Sequence, residues 1–259
     1  MPRFNANVSM MFNEVPFLER FAAAARAGFK GVEFLFPYDF PKEQVKAAVD
    51  ASGLELVLHN MPPGDWAKGE RGLASLPGRE DEFRAGVTKG LEYATHLGLK
   101  QIHCMSGIPA ADADPAKLRA TFVANLKFAA AEAKKAGLTV LIEPINLRDI
   151  PGYYLNYSKQ AISLMDEIGA DNLFLQYDIY HMQIMEGDLA PTMEKLLPRI
   201  GHMQIADTPG RHEPGTGEIH YPFLFDHIDR IGYKGWIGCE YRPAGKTEDG
   251  LGWARQYLG

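Results

Sequence analysis

Residues Gln101 to Glu143 read QIHCMSGIPAADADPAKLRATFVANLKFAAAEAKKAGLTVLIE. The stretch opens on a short apolar run, Gln101 to Met105, and continues into a long helical pattern from Ala116 to Ala136. Gly137 stops the helix, and a second strand-like run, Thr139 to Glu143, follows. A strand, a helix long enough to cross back, and another strand form the unit from which parallel sheets are built. Within TVLIE, period-two alternation puts Thr139, Leu141 and Glu143 on one face and Val140 and Ile142 on the other. Such a strand ends by aiming a carboxylate inward.

The same unit recurs in both directions along the chain. Upstream, Phe4 to Val8, Gly31 to Phe36 and Leu54 to His59 read as strands, followed by helical patterns over Pro16 to Ala27, Pro41 to Ser52 and Glu80 to Leu97. Gly28, Gly53 and Gly98 mark the helix ends. Downstream, strands are expected at Leu173 to Asp178, Ile200 to Ile205 and Trp236 to Glu240. Helices are expected near Ser158 to Ile168, Pro191 to Leu197, Tyr221 to Ile231 and Thr247 to Tyr257. Eight strand–helix units without a break in composition predict one (β/α)8 barrel domain over residues 1–259. An open doubly wound sheet is the rival, weakened because no glycine-rich dinucleotide or phosphate turn occurs.

Composition narrows the function classes. Across 259 residues, 46% are hydrophobic and 23% charged, which is ordinary for a globular protein. The net charge of −6 and the absence of a lysine or arginine run argue against nucleic acid as a partner. No apolar stretch reaches the roughly 18 residues of a membrane span, and Met1 to Met11 does not resemble a signal peptide. The two cysteines, Cys104 and Cys239, fall in strand-like runs and suit small core thiols. A cytoplasmic location is the expectation, and a homo-oligomer stays open.

In a barrel the last residues of the strands converge on one mouth. Here those positions carry Glu33, His59, Asn60, His103, Glu143, Asp178, His202, Gln204 and Glu240. Three carboxylates brought together at Glu143, Asp178 and Glu240 would resist ionising unless a cation relieved the repulsion. With the Gln204 amide they form an oxygen-rich set suited to magnesium or manganese rather than zinc. The rival reading is separate polar groups facing water at loop mouths. Among the histidines His181 ranks first, three residues past Asp178. Two loops are long: Asn60 to Arg79 after the third strand, and Asp207 to His220 after the seventh. A substrate-covering role is expected for the first.

The runs GVEFLFPYDF, LHNMPPGDWAKGERG, PGRE, LIEPIN, DIPGYYL, QYDIYHMQ, GHMQIADTPGRHEPGTGEI and GCEYRP resemble those of the hydroxypyruvate isomerases, in the xylose-isomerase-like barrel superfamily. The resemblance covers about Phe4 to Trp253. It implies a divalent metal, Mg2+ or Mn2+, on Glu143, Asp178, Gln204 and Glu240, with Glu143 and Glu240 as the acid/base pair. Ketose epimerases of the superfamily usually carry histidine where Gln204 stands, and the endonuclease branch uses a histidine-rich zinc site. The implied reaction is interconversion of hydroxypyruvate and tartronate semialdehyde (2-hydroxy-3-oxopropanoate) through an enediolate. Relatives with similar motifs act on 2-oxo-tetronates, one carbon longer. For a small hydroxy-oxo acid substrate, Arg211 is the first candidate for its carboxylate and Arg71 the second. His181 and His59 complete the expected substrate-binding set. A non-catalytic sugar-acid binding barrel would not need two opposed glutamates.

Overall fold

The computed structural model describes residues 1–258. Eight strands alternate with helices: β1 (Arg3–Asn7), α1 (Phe17–Arg26), β2 (Gly31–Glu33), α2 (Lys42–Ser52), β3 (Glu55–Leu58), α3 (Glu80–Leu97), β4 (Gln101–His103) and α4 (Pro115–Lys135). There follow β5 (Thr139–Ile142), α5 (Ser158–Ile168), β6 (Leu173–Asp178), α6 (Ile179–Met185), α7 (Leu189–Leu196), β7 (Ile200–Ile205), α8 (Tyr221–Arg230) and β8 (Trp236–Cys239). All strand pairs are parallel, in the order β3-β2-β1-β8-β7-β6-β5-β4. The two ends of the sheet meet just past β3, where Asn60 bridges His103 in parallel and Met61 N donates to His103 O at 2.8 Å. The result is a closed, parallel (β/α)8 barrel, in place of the rival open sheet.

Local chemistry sets the elements. Asp114 caps α4 by accepting from Ala116 N at 2.9 Å, with Pro115 in the first turn, where its missing N–H costs nothing. Two elements differ from the sequence reading. A short helix, α6, follows β6 without a loop, because Asp178 ends the strand and caps the helix, accepting from Tyr180 N and His181 N at 2.8 and 3.4 Å. The last pattern, expected as an α-helix over Thr247 to Tyr257, is a 3-10 segment, Glu248–Ala254, broken by Gly250 and Gly252.

The barrel interior divides along its axis. Val57, Leu58 and Leu141 pack with Phe174 and Trp236 into an apolar cluster. Toward the strand ends the interior becomes polar: Asn5, Asn7, Glu33, Gln176, Asp178, His202 and Gln204 are all buried. Barrel interiors are usually filled by branched apolar side chains. Polar filling at one end therefore marks where the structure trades packing for chemistry.

Candidate active site

β5, β6 and β8 deliver Glu143, Asp178 and Glu240 to one point, and α6 adds His181. Ligand atoms from these four buried residues all lie within 4.8 Å of one another. His181 Nε2 is 3.5 Å from Asp178 Oδ2 and 3.8 Å from Glu143 Oε1. Its Nδ1 lies 2.6 Å from Asn146 Nδ2, which fixes the ring from the far side. Gln204 is the register partner of Asp178 across β6 and β7; its Oε1 accepts from Gln176 Nε2 at 2.7 Å and its Nε2 donates to Glu33 Oε1 at 2.8 Å.

The electrostatics of this group are unfavourable without a cation. Burial, then the charges of Glu240 and Asp178, push the Glu143 carboxyl well above the usual range. Burial lifts Glu240 to about 8 against the pull of Arg211. Asp178 is lifted by burial to about 6, again opposed by Arg211. Burial and the nearby Arg211 hold His181 well below its ordinary value, so its ring is neutral and able to ligate. Glu143 Oε1 and Asp178 Oδ2 have no hydrogen-bond partner although both are buried. Orphaned carboxylate oxygens in a buried cluster are unusual, and with the donor set they fit a divalent metal ion.

Arg211 reaches into this cluster. Its Nη2 is 2.6 Å from Glu240 Oε2 and 3.6 Å from Asp178 Oδ2, and its Nη1 is 3.7 Å from Asp149 Oδ2. The residue takes a φ of 57°, in the left-handed region. Its loop is held by Asp207, whose carboxylate accepts from the backbone N–H groups of Thr208, Gly215, Gly217 and Ile219 at 2.9 to 3.1 Å. Arg211 thus neutralises the site's own glutamate.

Above the cluster is a cavity of about 170 Å³, lined among others by Asn60, Trp66, Arg71, His103, Arg211 and Arg242. It is small beside the roughly 300–1,000 Å³ of sites for drug-sized ligands. The first long loop forms part of its wall. Gly72 pairs with Ser106 in an antiparallel bridge, and a Cβ at 72 would run into the Met105 carbonyl, so only glycine lets the loop close down. Arg71 lies 3.6 Å over the Trp66 ring, and its Nη1 donates to the carbonyls of Trp66 and Glu70 at 3.1 and 2.7 Å. Among the described residues Arg71 and Arg242 make no ion pair, unlike Arg211.

Of the residues singled out in the sequence, Glu143, Asp178, Glu240 and His181 meet in the cluster and Arg211 and Arg71 line the cavity, while the Gln204 amide is bonded to Gln176 and Glu33. His59 does neither. Its ring stacks at 3° on Phe34, its Nδ1 lies 2.9 Å from Asn60 O, and it takes no part in the cavity wall. Burial lowers the His59 pKa to about 4, so the ring is neutral. Adjacent residues of an extended chain face opposite ways, and it is Asn60 that lines the cavity. Arg242 is an addition; its only sequence signal is its place two residues past Glu240 in GCEYRP.

The profile of the xylose isomerase-like TIM barrel matches residues 21–257, and the chain belongs to that family. Within it, the chain is 56% identical to the 2-oxo-tetronate isomerase of Cupriavidus necator over 259 residues, covering 100% of both chains. It is 52% identical to the hydroxypyruvate isomerase of Escherichia coli over 257 residues, 99% of this chain and all of the relative. A crystal structure of an AP endonuclease, family 2, from Brucella melitensis superposes with a TM-score of 0.98 at 50% identity, covering 100% of both chains.

Proposed function

We propose that the chain is a metal-dependent sugar-acid isomerase that interconverts hydroxypyruvate and 2-hydroxy-3-oxopropanoate. The observation that carries this reading is the pairing of Glu143 and Glu240 in one buried cluster, beneath a small cavity bearing arginines. Two opposed carboxylates suit a reaction in which one proton leaves carbon and another returns to its neighbour.

In the forward direction one glutamate takes a proton from C3 of hydroxypyruvate and the other delivers one to C2. The C3–H bond breaks as the C2–H bond forms, and a hydroxyl proton passes from the C3 oxygen to the C2 oxygen. C3 is oxidised and C2 reduced, so no external electron carrier is needed. A divalent cation, Mg2+ or Mn2+, held by Glu143, Asp178, Gln204 and Glu240, supplies Lewis-acid stabilisation of the negative charge that develops on the substrate's oxygens. His181 hydrogen-bonds a substrate oxygen, and Arg211 holds Glu240 in place for proton transfer. The substrate carboxylate goes to Arg71 and Arg242, the cavity arginines without an acidic partner.

A second reading, a four-carbon 2-oxo-tetronate as substrate, is favoured by the 56% identity to an isomerase of that name. The experiment is turnover of both acids with Mg2+ or Mn2+, in deuterated water, followed by proton NMR. Deuterium entering the product at carbon supports the proton-transfer reading, and the larger kcat/KM names the substrate. No exchange with either acid, together with cleavage of an abasic DNA duplex, would overturn it in favour of the endonuclease activity in the name of the Brucella melitensis relative.

A further inference from the structure

Beneath the carboxylates of the site lies another buried acid that neither proton transfer nor the ligand set uses. Glu33, the last residue of β2, is 1% exposed, and its side chain passes across the barrel interior. Four N–H groups converge on its two oxygens. Asn5 Nδ2 donates to Oε2 at 2.8 Å, and His202 Nε2 lies 2.7 Å from the same oxygen. Asn7 Nδ2 and Gln204 Nε2 donate to Oε1 at 3.1 and 2.8 Å. These partners stand on β1 and β7, on either side of β8 in the sheet. The reach is open because β8 carries Gly238 at the crossing, where any Cβ would collide with the Glu33 carboxylate.

A buried carboxylate is expensive to desolvate and survives only when its lone pairs are satisfied. The four partners of Glu33 match the roughly four lone-pair sites of a carboxylate, and one of them belongs to the candidate ligand set. The two ends of a carboxamide are nearly the same size, so packing does not choose between them. Hydrogen bonding does: a carboxylate only accepts, and a reversed Gln204 amide would set oxygen against oxygen in a medium of low dielectric. The amide nitrogen therefore faces Glu33 and the oxygen faces away. Gln176, on β6, enforces the same choice from the other side by donating its Nε2 to Gln204 Oε1 at 2.7 Å.

We propose that Glu33 is a positioning residue that fixes the orientation of the Gln204 amide, so that β7 presents an oxygen, rather than an N–H group, to the cation. The proposal rests on the reading of Gln204 as a ligand, and it explains why a buried acid is kept below a site already rich in acids. The network also touches the acid/base pair, since Asn7 Nδ2 lies 3.4 Å from Glu240 Oε1 while donating to Glu33.

The test is Mn2+ binding to metal-free protein, read by loss of the free-ion signal in electron paramagnetic resonance. Glu33→Gln offers an N–H group of its own and releases the Gln204 amide to turn, so Mn2+ affinity falls about 10- to 100-fold, the usual cost of losing a ligand's supporting partner. Gln204→Ala falls comparably, and the double variant binds no worse than Gln204→Ala alone. His202→Asn, which disturbs the opposite oxygen of Glu33, lowers the melting temperature but keeps Mn2+ affinity within threefold. If Glu33→Gln does not fold, Glu33→Asp, one methylene too short to reach Gln204, carries the same comparison. An affinity unchanged in the folded Glu33 variant, or losses that add in the double variant, overturns the proposal while the metal site stands. A parent protein that fails to bind Mn2+ overturns both.

Discussion

Replacing Arg71 by alanine separates the cation that serves the substrate from the one that serves the enzyme. The Arg71 guanidinium carbon lies 3.6 Å over the Trp66 ring and the group spends only Nη1 on backbone carbonyls, so its remaining N–H groups are free for a carboxylate at the cavity wall. A charge-assisted hydrogen bond is worth roughly 1.5 to 3 kcal/mol, and about 1.4 kcal/mol is a factor of ten. Arg71→Ala should then raise KM for hydroxypyruvate about ten- to a hundredfold, with a smaller change in kcat, because the contact is made equally in ground and transition states. Arg211→Ala should show the opposite split. Its Nη2 sits 2.6 Å from Glu240 Oε2, and releasing that glutamate should lower kcat by roughly 10²-fold, the scale of a misplaced general acid or base. Steady-state kinetics on hydroxypyruvate and on dihydroxyacetone, which lacks the carboxylate, provide the assay. The neutral compound should be indifferent to Arg71→Ala. If Arg71→Ala leaves KM unchanged while Arg211→Ala raises it selectively for the acid, the assignment is reversed and the reasoning from ion pairing fails.

Glu240→Gln keeps the side chain's size but removes its basicity, so turnover should drop by roughly 10²-fold or more with an unchanged circular dichroism spectrum; turnover within threefold of the parent would remove Glu240 from the acid/base pair. A strong chelator should abolish activity, and Mg2+ or Mn2+ should restore it; full activity in protein shown by elemental analysis to be metal-free would rule out the cation's role. Gly238→Ala places a methyl group against the Glu33 carboxylate and should destabilise the fold by about 1 to 3 kcal/mol, as overpacking does. Its melting temperature checks this, and an unshifted melt would mean that Glu33 can take another path.

The alternation of strands and helices was legible from the chain because it is written locally. Period-two runs such as Thr139 to Glu143, helical spacing and terminal glycines each act within a few residues. Even the inward aim of Glu143 follows from strand alternation. Where neighbouring signals merged, the reading lost detail: α6 starts on the residue that ends β6, so no loop separated them, and glycines broke the final helical pattern into a 3-10 segment. What lay beyond the sequence was partnership. Glu143, Asp178 and Glu240 become one cluster only because the sheet curls until β3 meets β4. Arg211 and Arg71 look alike as loop arginines, yet loop geometry gives one to Glu240 and the other to Trp66. The same holds for His59, turned onto Phe34 while its neighbour Asn60 reaches the cavity, and for Glu33, whose partners lie on β1 and β7. Periodicity specifies which face of an element a residue occupies, whereas the group it meets there is decided by contacts between segments far apart in the chain, which only the closed barrel brings within a few ångströms.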